Sequence, residues 1–368
     1  MKWIGFLFAL GLLSFVSCNS ASEPSVPSGE KKTYFTNPIR ANGADPWVIR
    51  LDGKYYFSEC DGHSKVFLHE FDKISEMPYS QGRLVYDFST DYPRGNALWG
   101  PHINKVNGEW YIYFCAQTEP SIGTWRQRMW VLRSTTDSPY GPYENCGEVL
   151  DSDDTAWAID GSILQRTDGS LFFVWAGMSQ EDIRHGVVRT MTYMAHMKDP
   201  MRIDRSTITI ISAPTEPWET SVKPIQEGQR PLYVDRGGKT IIMFSANASW
   251  TDEYCLGSLT NEDGNYLNPA SWRKSKQPLF QKTALVFGPG AGSYVKSLDG
   301  KEDWIIYHAA RYPGSGWDRD IRAQRFRFDT KDNPIFDEPI APGIKMEVPS
   351  GEGKRSGQIF RSPTKTEL

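Results

Sequence analysis

Five times along the chain a glycine-bearing turn feeds a short run of β-branched and aromatic residues. The instances are DGKYYFS from Asp52, NGEWYIYF from Asn107, DGSLFFVW from Asp168, GGKTIIMF from Gly237 and DGKEDWIIYH from Asp299. Each reads as a tight hairpin turn opening a strand, because Asn-Gly, Asp-Gly and Gly-Gly supply the positive φ angles that such turns demand. The turn glycines Gly53, Gly108, Gly169, Gly238 and Gly300 stand 55 to 69 residues apart. One four-stranded sheet fits each interval, and five such sheets fit blades set round a central channel. The expected fold class is all-β, a five-bladed β-propeller. An irregular β-sandwich with evenly spaced hairpins is the alternative.

In a propeller the innermost strand of every blade lines the channel, so matching positions ahead of the five turns form a ring. Eight to eleven residues before the turn glycines stand Asp45, Trp99, Asp160, Glu227 and Ala291. Three of these are acids. Carboxylates gathered in one pocket repel one another, so at least one pKa rises. Stability gives no reason to gather them, whereas acid–base chemistry does. Singly, Asp45 before Pro46 and Asp160 before Gly161 are ordinary turn formers, and Glu227 before Gly228 is an ordinary loop charge. Their coincidence in register is what points to a site.

Composition narrows the partners. Lys plus Arg number 41 against 45 Asp plus Glu, a net charge of −4. No basic excess exists to neutralise a phosphate backbone, so nucleic acid is excluded as a partner. Aromatic residues make up 13% of the chain. Many belong to the core, but exposed flat rings are also what sugar faces stack on.

The N-terminus reads as a processing signal. Lys2 supplies the positive charge, Ile4 to Phe15 is apolar, and Val16-Ser17-Cys18 closes it. That ending resembles a bacterial lipoprotein box, with cleavage before Cys18 and lipid on its sulfur; an ordinary secretory signal with an incidental Cys18 is the alternative. The expected organisation is a signal peptide over residues 1–18, a Ser/Pro-rich tether over 19–33 and a propeller over 34–360. The protein is then exported and lipid-anchored in the cell envelope, on the periplasmic side or the cell surface. Its membrane contact comes only through Cys18, since no apolar run reaches the roughly 18–20 residues of a spanning helix. Cys60, Cys115, Cys146 and Cys255 remain, with spacing that identifies no disulfide pairs and is not zinc-like.

The segments GADPWVIRLDGKYYF, LWGPHINKVNGEWYIYF, AIDGSILQRTDGSLFFVW and EGQRPLYVDRGGKTIIMFSANASW resemble the blade starts of family 43 glycoside hydrolases. The likeness runs from about Asn37 to about Gly351. DSPYGPYE from Asp137, WIIYHA from Trp304 and GSGWDRDIRAQRF from Gly314 fit as well, the last resembling the arabinofuranosidase-like members. The resemblance implies an inverting, exo-acting α-L-arabinofuranosidase on plant cell-wall oligo- or polysaccharide. A β-xylosidase or a galactofuranose- or galactan-cleaving hydrolase of the same fold, and a non-catalytic glycan-binding surface lipoprotein, are the alternatives.

Carried over by position, Asp45 is the general base, Asp160 raises the pKa of the proton donor and orients it, and Glu227 is the general acid. The usual Glu-Gly-Pro order is altered here, with Pro231 displaced behind Gln229 and Arg230, and Glu219 is the fallback donor. Substrate contacts are expected from Trp99, Trp47, Trp157, His102, Trp250 and Arg322. No cofactor is required for the hydrolysis. Members of the family often hold calcium in the channel through a His after Gly-Pro-Gly. Here that place is Ala291, which has no ligating atom, so no metal ligands are assigned.

Overall fold

The computed structural model describes residues 33–120, 126–150, 157–353 and 359–360. The expected signal peptide, Cys18 and all but the last residue of the tether lie outside them. Among the described residues no helix is long and apolar enough to cross a membrane.

Five antiparallel sheets follow one another in chain order. Their inner strands are Trp47–Leu51, Asn96–Val106, Trp157–Gln165, Gln226–Arg236 and Phe287–Lys296. Each inner strand pairs with the next strand in sequence, and so on outward, so every blade is a meander of consecutive strands. Blade 3 carries an additional short strand, Thr209–Ser212, beside its third. This is the expected five-bladed propeller. Three of the five turns are the anticipated two-residue hairpins, with Leu51 opposite Lys54, Val106 opposite Glu109 and Arg236 opposite Lys239. At Asn107-Gly108 both φ angles are positive (52° and 90°), which is why that dipeptide suits the turn. The turns at Gly169 and Gly300 are wider, spanning Gln165 to Leu171 and Lys296 to Asp303.

The core is divided as a propeller requires, with one apolar cluster in each seam between blades. Blades 1 and 2 meet through Leu68, Ile103, Ile112 and Trp130; blades 2 and 3 through Tyr113, Val131, Phe173 and Trp175. Blades 3 and 4 share Val174, Met194 and Phe244, and blades 4 and 5 share Met243, Phe280 and Tyr307. The last seam joins Phe57 of blade 1 to Ile306 and Ala323 of blade 5. Asn37 closes that seam, donating from Nδ2 to the Ala323 carbonyl (3.0 Å) and accepting from the Ala323 amide at Oδ1 (2.9 Å). All four described cysteines carry free thiols.

Candidate active site

One backbone device recurs on four of the inner strands and just ahead of the fifth, in blade 1. Asp45, Gly100, Asp160, Gly228 and Ala291 adopt left-handed φ angles of 45° to 62°. For the three non-glycine residues this conformation costs of order 1–3 kcal/mol, a kind of strain that collects at functional sites. The ring of matching positions is thus shifted from the sequence reading in two blades. Trp99 and Glu227 stand one residue before the left-handed position rather than on it.

Asp45, Asp160 and Glu227 nevertheless line one cavity of about 620 Å³ at the mouth of the channel. Trp99, Trp157, Trp250, Trp317, Tyr254 and Arg319 share its wall. A second space of about 370 Å³ adjoins it on the far side of Asp45, sharing Asp45, Trp99, Trp317 and Arg319.

The three acids differ in surroundings. Asp45 keeps 38% of its side chain exposed, to the cavity. Its Oδ1 lies 3.3 Å from His308 Nδ1 and 3.5 Å from Arg319 Nη1. Burial alone raises its pKa, but the hydrogen bond with His308 and the positive charges of Arg319 and Arg230 outweigh that and hold the carboxyl well below the usual range. Asp45 is therefore ionised at neutral pH. Asp160 accepts a hydrogen bond at Oδ2 from the Gly228 amide (2.8 Å). Burial and then the Asp45 charge still push it upward. Glu227 is displaced furthest. Burial first, then the charge of Asp160, push it up to about 8, while a hydrogen bond with Tyr254 works the other way. Glu227 carries a proton at neutral pH.

His308 and Tyr254 tie the acids together. The imidazole is fully buried, with the Asp45 amide 3.0 Å from Nδ1 and Arg319 Nη1 2.9 Å from Nε2. Burial and the Arg319 charge lower its pKa to about 4, so the ring is neutral. Tyr254 stacks on it at 5.7 Å and reaches Glu227 at its other end. The GPGAG run makes room for this: a Cβ at Gly290 would lie 2.1 Å from the Tyr254 ring.

A carboxylate held ionised and a carboxyl held protonated in one cavity are the pair that acid–base cleavage of an acetal needs. The family model of glycosyl hydrolases family 43 matches residues 35–334. The chain belongs to glycosyl hydrolase family 43.

Two relatives within that breadth are extracellular exo-alpha-(1->5)-L-arabinofuranosidases. The one from Streptomyces avermitilis is 30% identical over 92% of this chain and 69% of its own length. The one from Streptomyces chartreusis is 27% identical over 76% and 83%. Among solved structures, an alpha-L-arabinofuranosidase from Lactobacillus brevis superposes with a TM-score of 0.75 at 24% identity, covering 84% of this chain and 98% of that one. The last likeness bears on the fold.

Three of the expected substrate contacts are placed elsewhere in this family 43 propeller. Trp47 and His102 lie two residues beyond the left-handed positions, below the cavity, and are buried. Their rings stack at 4.0 Å; Trp47 donates from Nε1 to the Ile103 carbonyl (2.7 Å), and His102 Nδ1 lies 3.1 Å from the Gly161 carbonyl. Arg322 is buried in blade 5, opposite Tyr307. The pleat puts it on the other face of its strand from Arg319, which does line the cavity. Glu219, the fallback donor, is also fully buried away from the cavity. It accepts from the amides of Thr215 and Glu216 (both 2.8 Å) and from Gln226 Nε2, and it pairs with Lys274 at 2.7 Å.

Proposed function

We propose that this family 43 hydrolase is an exported, exo-acting α-L-arabinofuranosidase that cleaves terminal arabinofuranose from plant polysaccharide with inversion. In this reading Asp45 is the base, Glu227 the acid, and Asp160 the group that keeps Glu227 protonated and orients it. The observation that carries the reading is the opposite bias of Asp45 and Glu227 across one cavity. The first sits among His308, Arg319 and Arg230; the second is buried beside Asp160.

The chemistry follows from that bias. Water held by ionised Asp45 attacks the anomeric carbon as the carboxylate takes its proton. On the opposite face Glu227 donates its proton to the departing glycosidic oxygen, so the aglycone leaves as a neutral alcohol. The two carboxyls then hold each other's starting states, and proton exchange with solvent resets them. In this reading the sugar packs against Trp99, Trp157 and Trp250, which line the cavity from three blades. The names of the Streptomyces relatives support arabinofuranose as the substrate and export as the destination. A lipid on Cys18 as the anchor belongs to the same proposal.

Aryl α-L-arabinofuranoside and aryl β-D-xyloside, tested side by side, discriminate the substrate, and proton NMR of the first-formed sugar reads its anomer. Faster release of arabinose with inverted configuration is expected. Preference for xyloside overturns the sugar assignment. Glycan binding without release from either substrate overturns the enzymatic one.

A further inference from the structure

Beneath the acids, the residues two places beyond the left-handed positions are Trp47, His102, Ser162, Arg230 and Ser293, one per blade. They join round the channel. Ser162 Oγ lies 3.2 Å from His102 Nδ1 and donates to the Gln229 carbonyl (2.8 Å); Ser293 Oγ donates to the Pro46 carbonyl (2.7 Å). Arg230 crosses from blade 4 to blades 5 and 1. Its Nη1 donates to the carbonyls of Pro46 and Ala291, the latter at 2.8 Å, and approaches Ser293 Oγ at 3.5 Å. The guanidinium carbon lies 5.6 Å from the Trp47 ring centroid.

The ring holds one imidazole, His102, whose buried Nε2 has no hydrogen-bond partner among the described residues, but the Arg230 charge acts on it and repels a second cation there, and the blade-5 place where this family often holds a channel ion has no side-chain ligand. Ala291 offers only a methyl group, and its carbonyl is taken by Arg230. We propose that the Arg230 guanidinium is the fixed cation of this channel, occupying the place of a metal ion and positioning Asp45 and Asp160 from below.

Arginine stays charged when buried, and Arg230 is 2% exposed. Its Nε has no hydrogen-bond partner among the described residues. The largest charges acting on it are those of Asp45 and Asp160, so it is arranged as a field under the acids rather than as a contact pair. Asp45 also faces His308 and Arg319, and Asp160 faces Asp45 and the Gly228 amide. Through the Pro46 carbonyl Arg230 also fixes the backbone next to the base. It does not touch the sugar and is a positioning residue.

This inference rests on Asp45 being the base, and the test separates the two. Wild-type enzyme is freed of metal by exhaustive chelation and then given calcium. Unchanged kcat and an unchanged melting midpoint in both steps are expected. Arg230→Met is expected to lose about tenfold or more in kcat, with KM within about twofold, and Arg230→Lys to recover most of it. A purely structural role would move the melting midpoint without that split or that rescue. Loss of activity or of melting temperature on chelation, restored by calcium, overturns the proposal, as does full kcat in Arg230→Met. If Arg230→Met does not fold, the chelation arm decides alone. Full activity in Asp45→Asn would instead refute the catalytic reading, and the calcium effect on melting would still test the cation.

Discussion

The carboxylate of Asp45 and the imidazole of His308 meet at 3.3 Å although 263 residues of chain separate them. Ring closure of the propeller is what brings them together, since blade 5 follows blade 4 round the channel and packs on blade 1. The contact also sets a chemical state. His308, kept neutral, lies against the carboxylate and receives the Asp45 amide at Nδ1, and Arg319 beside it adds the charge that favours ionisation. Replacing Arg319 by Met removes a cause that lowers the Asp45 pKa, so that pKa rises. The acid limb of kcat/KM against pH is expected to move to higher pH; Arg319 also lowers the Glu227 pKa, as the last of its causes, so the alkaline limb moves the same way by less. A pH–rate profile of the variant checks this; an acid limb in its wild-type position would count against Asp45 as base.

Asp160 acts on the other limb. Its charge is the largest cause, after burial, of the raised Glu227 pKa. Asp160→Asn removes that charge, so the Glu227 pKa falls and its proton is lost at lower pH. The alkaline limb, expected near pH 8 in the free wild-type enzyme, should shift downward. Activity at pH 6 should fall less than activity at pH 8. Equal losses at both values would assign Asp160 a purely geometric role.

Much of this was legible in the sequence. The five turn-and-strand units gave the blades because glycine-bearing turns and β-branched runs are local signals. Asp45, Asp160 and Glu227 came from counting back along inner strands. Trp99, Trp157 and Trp250 also reach the cavity. Blades 2 to 5 all slip register at the left-handed residue, so the slip itself is not what misled the count. The distance from that residue to the turn glycine varies: it is longer in blades 3 and 5, where the turns are wider, than in blade 2, and longest in blade 4, whose strand slips again between Pro231 and Arg236. His308, Arg319 and Tyr254 were missed because they do not lie on inner strands at all. His308 and Arg319 occupy the second and third strands of blade 5, inside the WIIYHA and GSGWDRDIRAQRF runs, and Tyr254 immediately precedes the third strand of blade 4. Nothing in local periodicity marks a residue that reaches the channel from an outer strand. Trp317, 65% exposed on the cavity rim 5.7 Å from Trp250, was missed for the same reason.

Tryptophans at the two levels should separate by phenotype. Trp47→Ala empties a buried position stacked on His102, and truncation of a buried tryptophan costs about 3–5 kcal/mol. Thermal unfolding of Trp47→Ala should show a large fall in melting temperature. Trp250→Ala, on the half-exposed rim, should leave melting within a degree or two, about 0.5 kcal/mol, and raise KM. The reverse pattern would exchange their roles.

Glu219 is expected to be structural. Removal of one partner of a buried ion pair typically costs about 3–5 kcal/mol, so Lys274→Met should destabilise the fold through the stranded carboxylate. Glu219→Gln should keep kcat per folded molecule near wild type. A loss of 10²-fold or more in its kcat, with normal folding, would return Glu219 to candidacy as proton donor.

The sharpest test of Glu227 as proton donor is the leaving-group dependence of Glu227→Gln. A dinitrophenyl α-L-arabinofuranoside departs without protonation, whereas an arabino-oligosaccharide does not. Against the oligosaccharide kcat should drop about 10²–10⁴-fold, and against the dinitrophenyl glycoside it should stay within about tenfold of wild type. Equal losses on both substrates, or no loss on the oligosaccharide, would contradict the assignment.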